Sequence, residues 1–73
     1  MFYTDLRASG CAERIAALRG VLKRMTTGST CVVSLDSKEA LVELTSFITS
    51  AKQELLSVED KLTHYLCTIR KAR

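Results

Sequence analysis

Apolar residues recur at helical spacing in the first third of this chain of 73 residues. They follow one another at alternating intervals of three and four residues: Ala8, Cys11, Ile15, Leu18, Leu22 and Met25. That spacing places all of them on one stripe of an α-helix. Thr4 is a suitable N-cap, Ser9 is a rival start, and Gly28 supplies a left-handed residue beyond the end. The pattern predicts a first helix over about residues 4–27.

Two interleaved series of uncharged, mostly apolar residues, each with a period of seven, run through the second half of the chain. They are Leu41, Ile48, Leu55, Leu62 and Ile69, and on the adjoining position Leu44, Ala51, Val58, Tyr65 and Ala72. Such heptads are typical of a coiled-coil seam. Asp36 with Glu39 forms a capping box, so we predict a second helix over about residues 36–71. Ser57 with Asp60 would cap a new helix, which leaves open a break near Leu56.

The connection over residues 28–35 sets the predicted fold. Thr30 to Val33 have β-propensity, but a single short strand has no partner to pair with, so we expect a loop. A loop of about eight residues favours antiparallel neighbours. The sequence therefore predicts one all-α domain over residues 1–73. Its fold would be a coiled-coil-like antiparallel helical hairpin with the longer helix second.

The composition points away from catalysis and from metal binding. The chain has three cysteines, Cys11, Cys31 and Cys67, which are far apart, and a single histidine, His64. A structural zinc site needs four ligands, usually in paired spacing, and no C-x-x-C is present. We expect no cofactor, no metal, no small-molecule substrate and no enzymatic activity. Among the thiols, Cys31 in the connecting loop is predicted to be the most accessible.

The same composition predicts a cytoplasmic protein. Charged residues interrupt the N-terminal segment, so it does not have the apolar core of a signal peptide. No apolar run approaches the roughly 20 residues that span a bilayer. Unpaired cysteines suit a reducing compartment. We therefore expect no membrane association.

A hairpin with unequal helices would leave apolar residues uncovered at its open end. The residues predicted to bind a partner protein are Phe47, Leu56, Leu62, Tyr65, Leu66 and Ile69. Uncovered patches of this kind usually mark an interface. Self-association of two hairpins into a four-helix bundle would cover the same residues, so a dimer is expected where no partner is present.

The sequence alone predicts an interaction module and identifies no family. Its predicted architecture resembles that of the helical-hairpin co-chaperones of bacterial type III secretion, which implies an adaptor or co-chaperone. It also resembles that of the plasmid regulator Rop, a dimeric hairpin that binds RNA. The net charge is +3 with a basic first segment, so a dimeric nucleic-acid-binding regulator is the alternative. Its binding residues would be Arg7, Arg14, Arg19 and Lys23. A purely structural self-assembling bundle is a third hypothesis.

Overall fold

A computed structural model describes residues 2–73 as two helices packed on one face of a four-stranded mixed sheet. In chain order the elements are β1 (Phe2–Asp5), α1 (Cys11–Arg24), β2 (Thr30–Leu35), α2 (Lys38–Ser50), β3 (Glu54–Asp60) and β4 (Tyr65–Arg70). The prediction of an all-α, coiled-coil helical hairpin is therefore wrong. The first helix is shorter than predicted, and the second ends about halfway along its predicted range.

The sheet has the strand order β1-β2-β4-β3. β1 and β2 run parallel, with α1 as the crossover between them. β4 runs antiparallel to both of its neighbours, pairing Cys67 with Val33 on one side and Ile69 with Leu55 on the other. β3 consequently runs in the same direction as β1 and β2. The carboxyl ends of these three strands therefore lie at one edge of the sheet.

The core lies between the helices and the sheet. α1 contributes Leu18, Val21 and Leu22, and α2 contributes Ala40, Leu44 and Ile48. The central strands β2 and β4 supply side chains that are fully enclosed: Cys31, Val33, Leu35, Cys67 and Ile69. Alternate residues of each strand point to one face of a sheet, which explains why Cys67 and Ile69 of β4 are buried while Thr68 between them is only half-buried.

The heptad in the second half is not a helical seam, because local signals end α2 early. Thr45 and Thr49 each donate a hydroxyl hydrogen bond to the carbonyl four residues back, and this bonding competes with helix stability. Lys52 then adopts a left-handed φ of 59°, and Leu62 a φ of 72° in the turn before β4. A spacing of seven residues also fits strands that fold back on each other. Leu55 and Ile69, both from one heptad series, are cross-strand partners.

The predicted connection is the central strand β2. One of its partners overlaps the start of the first predicted helix, and the other lies within the second predicted helix. Residues 2–5 pair with it in parallel, and β4 pairs with it on the other side. Gly28 is left-handed as expected, with φ of 91°, but it lies in the turn before β2 and four residues past the end of α1. α2 is capped by Ser37, which accepts the Ala40 N–H at 3.1 Å, one residue later than predicted. Within residues 2–73, no helix is both long and apolar enough to cross a membrane.

Candidate functional site

The edge where β1, β2 and β3 end collects three loops and the starts of both helices. The loops span residues 6–10, 36–37 and 61–64. In open α/β sheets, ligand sites form outside the carboxyl ends of the strands. The first residue of α1 at this edge is Cys11, and its side chain is exposed. The candidate site is built around this thiol, and we call this edge of the sheet the thiol edge.

Two charged side chains flank the Cys11 thiol, one from each helix. Arg14, one turn along α1, donates from Nε and Nη2 to Oε1 of Glu43 at 2.9 and 2.7 Å. Glu43 belongs to α2, so this ion pair ties the two helices together beside the thiol. Arg14 also donates to the Ser9 carbonyl, and its side chain is only 12% exposed. The guanidinium therefore lies in a fixed place and fixes the Glu43 carboxylate.

The Glu43 carboxylate controls the protonation of the thiol. It raises the pKa of Cys11 chiefly as a hydrogen-bond acceptor for the thiol; partial desolvation and then the charge of Glu43 add to the rise. The Cys11 hydrogen bond and the Arg14 guanidinium lower the pKa of Glu43 in return. The resting pair at neutral pH is a thiol facing an ionised carboxylate. Arg14 and the amides at the start of α1 favour the thiolate once the proton has left.

The loop before Cys11 is held by contacts at both ends. Asp5 accepts two hydrogen bonds from the Arg7 guanidinium, which lower the pKa of Asp5 to about 2. Ala8 has a left-handed φ of 63°, and its N–H donates to Asp36 Oδ2 at 2.7 Å. Gly10 is the N-cap of α1, and its N–H donates to Glu13 Oε1 at 2.9 Å. These contacts determine where α1 begins and therefore where Cys11 lies.

The other two cysteines are enclosed in the core. Cys31 and Cys67 are each 0% exposed, and burial raises both pKa values, that of Cys67 to about 11. The prediction that Cys31 is the most accessible thiol is therefore wrong. Sequence reasoning placed Cys11 in the hairpin seam and missed its exposure. The turn-prone Ser9-Gly10 pair, together with Glu13 three residues after Gly10, is the signal that could have placed the helix start at Cys11.

His64 lies at the same edge of the sheet but does not belong to a group of metal-binding side chains in the part of the chain that the structure describes. Its Nδ1 shares a hydrogen bond of 2.9 Å with the Thr63 hydroxyl. With Asp36 and Asp60 it lines a shallow cleft of about 280 Å³. Across residues 2–73, no three side chains of the ligand types His, Cys, Asp and Glu are grouped so that they could hold a metal ion.

The residues predicted to bind a protein partner do not share one surface. Ile69 is fully enclosed in the core. Tyr65 and Leu66 are half-buried on β4, and Phe47 is half-buried on α2. Leu56 is 48% exposed on the outer strand β3, and Leu62 is 97% exposed in the turn beside the thiol edge.

The four cations predicted to bind nucleic acid divide into two pairs. Arg7 and Arg14 at the thiol edge are each engaged by a carboxylate, Asp5 and Glu43 respectively. Arg19 and Lys23 lie towards the other end of α1, where they line a separate groove.

Comparison with known proteins does not assign this chain to a family. Neither the models of known protein families nor the curated proteins contain a match to this sequence.

Proposed function

We propose that this protein is a small thiol carrier, which takes up a sulfur atom on Cys11 from one protein and passes it to another. The observation that carries this proposal is the place of Cys11. It is the exposed one of three cysteines, and it begins α1 at the strand carboxyl edge, one turn before Arg14, which is paired with Glu43 of α2. The proposal keeps the predicted protein-binding role without stand-alone catalysis. The co-chaperone and Rop resemblances rested on a helical hairpin and lose their basis with it.

Transfer of a sulfane sulfur is the thiol reaction that fits this site best, because it needs only one reactive thiol on this chain and a persulfide on the donor. The Cys11 thiolate attacks the outer sulfur of a donor persulfide, an S–S bond forms at Cys11, and the donor S–S bond breaks. The donor leaves as a thiolate and takes up the proton that Cys11 released. One persulfide replaces another, so no external oxidant or reductant is consumed.

Two other thiol reactions fit the site less well. A dithiol oxidoreductase closes a disulfide with a second accessible thiol, whereas Cys31 and Cys67 are enclosed in the core. Acyl transfer passes through an oxyanion that needs aimed N–H donors. The Gly10 N–H, next to Cys11 in the chain, is already taken by Glu13.

Glu43 and Arg14 have separate roles in the proposed transfer. Glu43 raises the pKa of Cys11 and so keeps the resting side chain in the thiol form until a donor arrives. Arg14 holds Glu43 in position and places a positive charge where the thiolate and the persulfide anion develop. The Cys11 thiol itself is exposed, so a donor protein can present its own persulfide to it.

Sulfur loading can be measured directly by mass spectrometry. The reduced protein is incubated with glutathione persulfide, and the intact chain and its peptides are weighed. We expect the mass of one added sulfur on the peptide that contains Cys11, and its loss when a thiol acceptor is added. Cys11→Ser should abolish loading, whereas Cys67→Ala, the matched control, should load normally. Equal loading of Cys11→Ser would overturn the proposal, as would faster transfer from an acyl thioester than from the persulfide.

A further inference from the structure

A groove at the far end of the helical layer concentrates the positive charge of the molecule. It lies between the second half of α1 and the end of α2, beside the C-terminal residues, and has a volume of about 520 Å³. Four of its nine lining residues are cationic and none is acidic: Arg19, Lys23, Lys71 and Arg73. We call this surface the basic groove. We propose that it binds an acidic segment of a partner protein, at a site separate from the Cys11 thiol.

No cation of the groove forms an ion pair with a carboxylate of residues 2–73. Over residues 2–73, the cations in ion pairs are Arg7, Arg14, Lys61 and Arg70, and all four lie outside the groove. A region lined by charge of one sign attracts ligands of the opposite sign and accelerates their association. The groove is therefore complementary to a segment rich in carboxylates.

Lys71 has a structural role that leaves the other three cations to act on a ligand. Its Nζ donates to the carbonyls of Leu22 and Met25 at 2.8 and 2.9 Å, where the negative end of the α1 dipole lies. Lys71 thereby offsets the part of the local field that would repel an anion. The Ala72 N–H donates to Gln53 Oε1 at 2.7 Å, which helps to hold the segment that carries Arg73.

The floor of the groove favours a peptide over a single-stranded nucleic acid. Leu22, Phe47 and Ala51 provide an apolar surface that can take an aliphatic side chain. Non-specific binding of single strands uses open aromatic faces on which bases stack. The Arg19 guanidinium already lies over the Phe47 ring, 5.9 Å from its centroid. In that position Arg19 can still pair with a carboxylate, whereas a base would have to displace it.

The proposal is tested by a titration in solution with a defined probe. The ¹⁵N-labelled protein is titrated with a capped peptide in which two leucines are flanked by glutamates, and amide shifts are followed by NMR. We expect the shifts to concentrate at residues 19–25, 47–53 and 71–73, and affinity to fall as salt rises. The same peptide with lysines in place of the glutamates should not bind.

Matched charge variants decide whether the groove itself is responsible. Arg19→Glu with Lys23→Glu should weaken binding about tenfold or more. Lys38→Glu with Lys61→Glu makes the same change in net charge outside the groove and should leave the affinity within about twofold. Because glutamate is unfavourable in the last turn of α1, Arg19→Gln with Lys23→Gln is the milder second pair, and circular dichroism checks its fold.

Three outcomes would overturn the proposal. They are no shift with the acidic peptide, equal loss of binding in both glutamate pairs, and tighter binding of a single-stranded oligonucleotide in the same groove. Sulfur loading from glutathione persulfide is expected to be the same in the groove variants and in the original chain. Failure of the peptide test therefore leaves the proposed function of Cys11 standing, and failure of sulfur loading leaves the groove proposal standing.

Discussion

The fold predicts that the three thiols differ greatly in reactivity. Cys11 is exposed at the start of α1, so a thiol reagent such as dithionitrobenzoate reaches it in the folded protein. Cys31 and Cys67 lie in the central strands with 0% exposure, so reagents reach them only when the chain opens. The helical hairpin predicted from the sequence gives the opposite order, with Cys31 exposed in a loop. A thiol titration therefore tests the fold and the candidate site together.

The size of the difference follows from the stability of a small domain. Globular proteins have free energies of unfolding of roughly 0.05 kcal/mol per residue at the lower end. For 73 residues this is about 4 kcal/mol, and the unfolded fraction is then about one in a thousand. Because both buried thiols become reactive through that fraction, we expect them to react about a thousandfold more slowly than Cys11.

The assay follows the release of the coloured thiolate with time in native buffer and again in guanidinium chloride. One thiol per chain should react in a fast phase and two in a slow phase, whereas in denaturant all three should react at similar rates. Cys11→Ser should remove the fast phase, and Cys31→Ala should leave it unchanged. A fast phase in the folded chain that persists in Cys11→Ser and disappears in Cys31→Ala would refute the burial argument and with it the proposed site.

Two further predictions test the electrostatics of the site and the core. Glu43→Gln removes the acceptor and the charge that raise the pKa of Cys11, so the thiolate fraction and the rate of alkylation by iodoacetamide at pH 7 should increase. Glu39→Gln on the same helix is the control and should leave both unchanged. An unchanged rate in Glu43→Gln would show that Glu43 does not control the protonation of Cys11. Leu18→Ala empties a site that is 1% exposed and should lower the free energy of unfolding by about 2–5 kcal/mol in a urea titration, against less than about 0.5 kcal/mol for Val42→Ala, which is 65% exposed.

Both helices fall inside the predicted helical ranges, but the second range also runs over β3 and β4, and the sequence does not show the partners of each strand. Leu18, Leu22 and Met25 are buried on one face of α1 and its C-cap, as their spacing predicts. Sheet formation depends on residues far apart in the chain, and no local pattern shows which segments pair. Thr30 to Val33 have β-propensity, but the parallel partner of this segment is a strand of only four residues near the N-terminus. The heptad then favoured a helix where two antiparallel strands form.

The position of the thiol could not be predicted for the same reason. Cys11 fits the apolar stripe of α1 by spacing, so an extended helix would bury it. The helix in fact begins at Cys11, because the chain before it must reach across from β1, and the loop is held by Asp36 and Glu13. The chemistry of the site also needs Glu43, which is 32 residues away in the sequence and belongs to the other helix.

The two proposed surfaces lie at opposite ends of α1, which limits how one partner could use both. α1 has 14 residues and is therefore about 21 Å long, compared with 30 Å for the longest dimension of the molecule. A partner that holds the basic groove and also reaches Cys11 must lie along the helical layer and cover most of its length. A partner of smaller reach can occupy the groove while Cys11 stays open to a second protein. The second arrangement is the one a carrier needs, because the donor and the acceptor of the sulfur must both reach the same thiol in turn.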